Sequence, residues 1–325
     1  MALAGTFFLP DRYFVRTRAL AGTQPRFQLY DNRPQRFLLS ANLGFSFLDD
    51  RIAIGGGITY MSGTDGTINL LGRVGFPNAE DSDLRQAIDF DVQTVPYPQA
   101  GLMVKASDRI TIGLSYRGEF ELELSQVLDV RGSVGSADQE QIVEDAFITV
   151  TTLAKDHYVP AQITAGIAAQ VTDDLLLAFD LGYHAWSGFG NPSTEVEIEL
   201  DVGDFNDDID IEDAPAFPDP NFEDILVPRL GVEYRALASE TMDLDVRSGY
   251  AFEKSPAPEQ RDESNFVDND KHTISLGAGA TFRGLTELSP LPFSVDAFAS
   301  FTLLPERTHR KLSPVDPVGD YKSNG

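Results

Sequence analysis

The chain contains no cysteine, one tryptophan and four histidines in 325 residues, and its 25 Lys and Arg are outnumbered by 51 Asp and Glu. Without cysteine there is no disulfide framework, no thiolate metal site and no cysteine nucleophile. The basic shortage leaves a formal charge of −26, which opposes nucleic-acid binding, because that affinity comes mainly from Lys and Arg displacing phosphate counterions. Long hydrophobic runs are missing too. The longest stretch free of Asp, Glu, Lys and Arg is 157–172, broken by His157, Gln162, Thr164 and Gln170, so no segment supplies the roughly 20 apolar residues of a membrane-spanning helix. No signal-peptide pattern stands at Met1–Pro10.

Period-two alternation is what the chain has in quantity. In 110–117, Ile110, Ile112, Leu114 and Tyr116 oppose Thr111, Gly113, Ser115 and Arg117, the pattern of a strand with one apolar face. The same alternation recurs in Ile52–Tyr60, Leu175–His184 and Met242–Glu253. It predicts strands near 2–9, 36–48, 51–62, 92–105, 109–125, 158–171, 174–187, 225–237, 241–254, 271–283 and 291–304. Tight turns at 49–50, 107–108, 172–174, 238–240 and 283–290 alternate with long polar loops at 63–90, 126–157, 188–224, 255–270 and beyond 305.

Short connections at one end and long ones at the other are the pattern of a transmembrane up-and-down β-barrel, whose apolar faces meet lipid and whose polar faces line a lumen. A soluble β-sandwich binding module needs no such asymmetry. Tyr60, Tyr116, Tyr183, Tyr234 and Tyr250 lie on the lipid-side parity, and all five are expected at the loop-bearing end as an aromatic girdle. On the lumen parity stand Asp180, His184, Arg229, Glu233, Arg235, Asp243, Asp245, Arg247 and Asp296. These groups are read either as a bracing ion-pair network or as a lining for a ligand headgroup, with Arg229 and Arg247 the candidates for a carboxylate. No catalytic constellation is present: the four histidines are scattered, and no HExxH, GxSxG or phosphate-loop pattern accompanies them. No cofactor is expected.

The segment 225–282, with Arg229, Gly231, Tyr234, Gly249-Tyr250, Ser255-Pro256-Ala257-Pro258 and the Asp268–His272 run, resembles the carboxy-terminal half of the FadL-type outer-membrane transporters of long-chain fatty acids and other hydrophobic compounds. GLSYRGEFELEL at 113–124 and the stretch 159–189 resemble the same family. The resemblance implies an all-β, antiparallel fourteen-stranded barrel in the outer membrane. About eleven strands are expected here, as a single barrel domain over 1–325 that lacks the amino-terminal hatch and the final strand. It further implies passive diffusion of fatty acids or aromatic hydrocarbons, a monomer, and contacts with outer-membrane lipid and lipopolysaccharide; a non-specific porin is the alternative.

By position, the family's outer docking groove falls on 63–90 and 126–157. Leu70, Leu71, Phe76, Ile88, Ile142 and Phe147 are therefore candidate ligand contacts. Thirteen acidic residues crowd 195–224, where Asp204, Asn206, Asp208 and Asp210 lack the glycine and glutamate of a calcium loop. That loop is expected to be a solvated surface, and no metal is expected.

Overall fold

The computed structural model describes residues 1–9, 25–27, 37–75, 80, 82–135, 143–192, 195–201, 219–260, 265–283, 292–311 and 318–324. Its strands are β1 (Ala2–Phe8), β2 (Arg26–Phe27), β3 (Leu38–Phe47), β4 (Ile52–Gly75), β5 (Asp83–Lys105), β6 (Ile110–Arg117), β7 (Phe120–Gly135), β8 (Val143–Val159) and β9 (Gln162–Gln170). They continue with β10 (Leu175–His184), β11 (Glu195–Asp201), β12 (Ile225–Ala238), β13 (Met242–Glu253), β14 (Phe266–Val267), β15 (Lys271–Phe282), β16 (Phe293–Leu303), β17 (Arg307–His309) and β18 (Tyr321–Ser323). No helix of the described residues is long and apolar enough to cross a membrane.

Eleven strands form the wall in the order β1-β3-β4-β5-β6-β9-β10-β12-β13-β15-β16, each antiparallel to its neighbours. Alternation dictates the two surfaces. Leu43, Ile54, Leu102, Leu114, Ile167, Phe179, Leu230, Val246, Leu276 and Val295 all lie on one parity and are exposed, Leu276 to 61%. Such a continuous exposed apolar band has no place on a soluble sandwich and suits lipid. The backbone's polar groups are meanwhile satisfied between strands, as a hydrocarbon surrounding requires. The wall curls: β2, from the connection between β1 and β3, pairs with β14, from the connection between β13 and β15. The sheet is not closed, since β1 pairs only with β3 and β16 only with β15.

Three expectations are corrected. First, within 63–90 and 126–157 the residues 63–75, 83–90, 126–135 and 143–157 are strands rather than loops, and so is 195–201, inside the stretch expected to be a solvated loop. β4 and β5 run on unbroken to Gly72 and Leu84, and beyond the wall β4 pairs in parallel with β7, through Gly66↔Gln126 to Gly75↔Gly135. β7, β8 and β11 complete an outer sheet in the order β11-β8-β7-β4-β5. Second, 109–125 and 158–171 are each divided. Gly118 breaks the first, where its N–H bonds the Pro98 carbonyl at 2.8 Å and a Cβ would lie 2.7 Å from the Pro98 ring. Pro160, which has no N–H to give a ladder, separates β8 from β9. Third, Tyr234 stands opposite Leu175 beside a tight turn, so it belongs to the short-turn rim, whereas Tyr60, Tyr116, Tyr183 and Tyr250 ring the other.

The lumen face of β3, β4 and β5 is held at close quarters. Gln99 donates to Asn42 Oδ1 at 2.6 Å and Ser40 Oγ at 3.2 Å, across the top of Gly57. A Cβ on Gly57 would collide with the Ala41 carbonyl and the Asn42 amide. Gly57→Ala is expected to destabilise the barrel by about 2 kcal/mol. Gly56→Ala, facing lipid with 3.4 Å to the nearest atom, is expected to change it little. Urea unfolding followed by the heat-dependent gel shift of the refolded protein measures both.

Candidate functional site

The two halves of the lumen differ in chemistry. From β3 to β9 a run of inward positions is small, Gly44, Gly55, Gly101, Gly113 and Gly166 with Ser115, Thr164 and Ala168, and these border a cavity of about 900 Å³. Gly44, Gly55 and Gly101 are direct cross-strand neighbours, so three adjacent strands present bare backbone to the cavity. From β12 to β16 the inward positions are ionic. Arg247 donates through Nε to Glu233 at 2.7 Å and through Nη1 to Asp296 at 2.6 Å. Arg235 meets Asp245 at 3.4 Å, Arg283 meets Asp243 at 3.0 Å, and Lys271 meets Glu253 at 2.8 Å.

Arg229 is placed differently from Arg247. Asp180 is its cross-strand neighbour, yet the Asp180 carboxylate lies over Gly166, and no ion pair joins Arg229 to any described residue. A Cβ built on Gly182 would lie 3.3 Å from His184 Nε2, 3.4 Å from Arg229 Nη1 and 3.4 Å from Thr164 Oγ1, so these three groups converge on the bare glycine. His184 is only 6% exposed, and its Nε2 has no hydrogen-bond partner. Arg117, whose Nε is also buried and unpartnered, acts electrostatically on the same imidazole, as do Arg229, Lys271 and Glu253. Buried polar atoms without partners are uncommon in folded proteins. Here they form an electropositive notch at the outer end of the glycine-lined wall. Arg117 was not singled out from sequence; its odd-numbered position behind Gly113 and Ser115 is the signal that carries it to the lumen.

The outer sheet sorts the remaining candidates by face. Ile198, Val150, Leu128, Ile68 and Ile88 form one cross-strand row, and Leu200, Ile148, Val130 and Leu70 the next. Leu70 and Ile88 thus share one apolar face. Leu71 and Phe147 lie on the opposite face, on either side of Arg131, whose guanidinium sits 5.7 Å from the Phe147 ring centre. Phe76 and Ile142, and the acidic stretch from Asp204 to Asp210, lie outside the described residues.

A cap covers part of the outer mouth. Tyr158, Phe189, Phe222, Ala257 and Phe266 are its buried core, with Trp186 packed against them. Arg307 ties the cap together, donating to Ser255 Oγ at 2.7 Å, to the Asp268 carbonyl at 3.1 Å and to the Ala257 carbonyl at 2.7 Å. His309 is fully buried, stacked on Tyr321 at 4.8 Å and hydrogen-bonded to Ser323 Oγ at 3.0 Å. Burial, with Arg307 nearby, pushes the His309 imidazole down to about 4. Burial pushes the Asp268 carboxyl up, against the pull of Lys271.

A curled antiparallel sheet with lipid outside, a lumen inside and a capped outer mouth is the build of an outer-membrane β-barrel. The profile of the outer membrane protein transport protein family (OMPP1/FadL/TodX) matches residues 35–289. The chain belongs to that family, and its place is the bacterial outer membrane. The crystal structure of a Pseudomonas aeruginosa FadL homologue superposes with a TM-score of 0.52 at 18% identity, covering 89% of this chain and 64% of that one; this likeness is one of fold. Alkane uptake protein A of Marinobacter nauticus is 38% identical over 103 residues, which are 31% of this chain and 21% of that protein. The chain therefore spans less than two thirds of either relative's length.

Two outcomes follow from these contacts. Arg247→Ala leaves Glu233 and Asp296 without the cation they share. It is expected to cost roughly 1 kcal/mol, the low value reflecting water in the lumen, whereas Arg229→Ala is expected to leave thermal unfolding unchanged. The cap is expected to loosen as pH falls from 6.5 towards 4. In that window an opened His309 takes up a proton that the closed form refuses, while Asp268 acts with the opposite sign. Amide exchange at Phe266 and Tyr321 measures the loosening. His309→Asn should abolish it and leave the Asp268 trend, a cap slightly firmer in acid.

Proposed function

We propose that this chain admits long, apolar molecules bearing one anionic end, with long-chain fatty acids as the leading class, and lets them diffuse passively across the outer membrane. The observation that carries the reading is the juxtaposition in the lumen. A wall rich in bare glycine backbone, with the Asp180 carboxylate over Gly166, adjoins a cavity of about 900 Å³, and Arg117, His184 and Arg229 gather at its outer end without an ion-pair partner among the described residues. A carboxylate there would meet charge-assisted donors, while its chain lies on a wall of small residues where burying apolar surface displaces water. Arg247, already held by Glu233 and Asp296, serves in this reading as a brace for the charged wall beside the moving solute.

Leu70 and Ile88, on the outer apolar face, provide first contact outside. No catalytic step is assigned, since binding and diffusion suffice. The surrounding partners are outer-membrane lipid and lipopolysaccharide.

A second reading is uptake of neutral hydrocarbons, favoured by the name of the Marinobacter relative, an alkane uptake protein. The double substitution Arg117→Ala/Arg229→Ala separates the two. In cells or proteoliposomes it is expected to lower oleate uptake about tenfold, equal to about 1.4 kcal/mol, with hexadecane uptake unchanged. Equal losses for both, or for neither, would overturn the carboxylate reading; hexadecane uptake with no oleate uptake by the parent would establish the second.

A further inference from the structure

We propose that the apolar face of the outer sheet docks on the surface of a dispersed aliphatic oil droplet, so that molecules reach the mouth from a held liquid surface. This rests on the uptake reading above and adds the physical form in which the substrate arrives.

The face is the direct continuation of the lipid-contacting surface. β4 and β5 pair from Ile52↔Val104 to Arg73↔Asp83 without a register shift, so Ile68 and Ile88 keep the parity of Ile54 and Leu102. Eight residues separate Tyr60, at the girdle, from Ile68. At about 3.3 Å per residue and the usual strand tilt, that lifts the face roughly 20 Å above the girdle, clear of the barrel's own membrane.

Size and charge select the occupant. Five strands about 4.8 Å apart make the face about 24 Å wide. A single extended alkyl chain is about as wide as one strand spacing, so one molecule covers about a fifth of the face. Two rows of side chains give about 340 Å², and packing against a second copy would bury about 700 Å² in total, below the 1,200 Å² or more of stable protein interfaces. The nine residues of the two rows carry no charge, and Glu195, Glu197, Glu199 and Asp201 line the back of the edge strand. That arrangement repels an anionic lipid surface and lacks the basic residues that hold one. A bare oil–water interface offers apolar surface with no headgroup to displace.

The test uses the full chain in phospholipid nanodiscs, mixed with a hexadecane emulsion and centrifuged so that droplets float. Ile88→Ser/Ile148→Ser/Ile198→Ser alters three exposed positions of the face; Leu71→Ser alters an exposed position on its back. The triple variant is expected to lose floated protein at least about tenfold, with Leu71→Ser and the lumen's oleate affinity as in the parent. Flotation of the triple variant like the parent would overturn the proposal. So would cross-linked dimers that only the triple substitution abolishes, or equal capture by anionic phospholipid vesicles. If the uptake reading is at fault instead, the parent floats but takes up nothing.

Discussion

Backbone hydrogen bonding in a medium without water is the constraint on which the rest depends. Each N–H and C=O in the lipid layer must find its partner on a neighbouring strand, and that fixes both register and parity. Once Gly44 is paired with Gly55, and Gly55 with Gly101, the sequence has no freedom over which side chains meet in the lumen. A one-residue slip on β4 would turn Ile54 and Ile58 inward and Gly55 and Gly57 out to lipid. Gly57 shows how tightly the register is held, because Asn42, Ser40 and Gln99 close over it with hydrogen bonds of 2.6 to 3.2 Å.

Parity also partitions charge. The lipid-side positions named above carry none, and the ionic residues of the wall gather on the lumen side of β12 to β16. They are paired along that arc: Arg247 with Glu233 and Asp296, Arg235 with Asp245, Arg283 with Asp243. Most of these side chains keep contact with solvent, so each pair adds little stability; together three Arg against four carboxylates leave the arc with one net negative charge. Across the lumen, the small residues have nothing to ionise, and the Asp180 carboxylate lies over one of them, Gly166. Arg117 and Arg229 add positive charge where that wall meets the cap.

The wall was legible from residues alone because alternation is strict there: eleven strands, their inward and outward faces, and most turns follow from it. The outer sheet was not. In 63–75 the apolar residues crowd into Ile68, Leu70 and Leu71 among glycines and polar residues, and what makes strands of them is the parallel pairing of β4 with β7, a contact between segments some 60 residues apart that no local pattern announces. Tyr234 was read on the correct face and at the wrong end, since parity gives direction across the sheet but not depth along it. Among the site residues, Arg229 and Arg247 look alike in sequence. Only the partners distinguish them, because Glu233 and Asp296 converge on one while Asp180 turns to Gly166 and leaves the other.

The cap obeys a different rule from the wall. Outside the membrane water can satisfy a backbone, so order there has to come from a core, and the aromatic cluster of Tyr158, Phe189, Phe222 and Phe266 supplies one. Its members come from three separate connections between wall strands, β6 to β9, β10 to β12 and β13 to β15, which means that no single hairpin holds the cap together. Gly188 and Gly190 let the Trp186–Gly190 turn settle directly on Tyr158, Glu119 and Lys155, since a Cβ at either glycine would lie within 3 Å of those side chains. Tyr158 itself donates to Glu119 at 2.9 Å, tying the aromatic core to the short connection that carries the chain from β6 to β7. A movement of that connection is therefore felt in the cap core and in Arg117, two residues before Glu119. The cationic notch and the cover above it thus meet at one short connection, Gly118-Glu119.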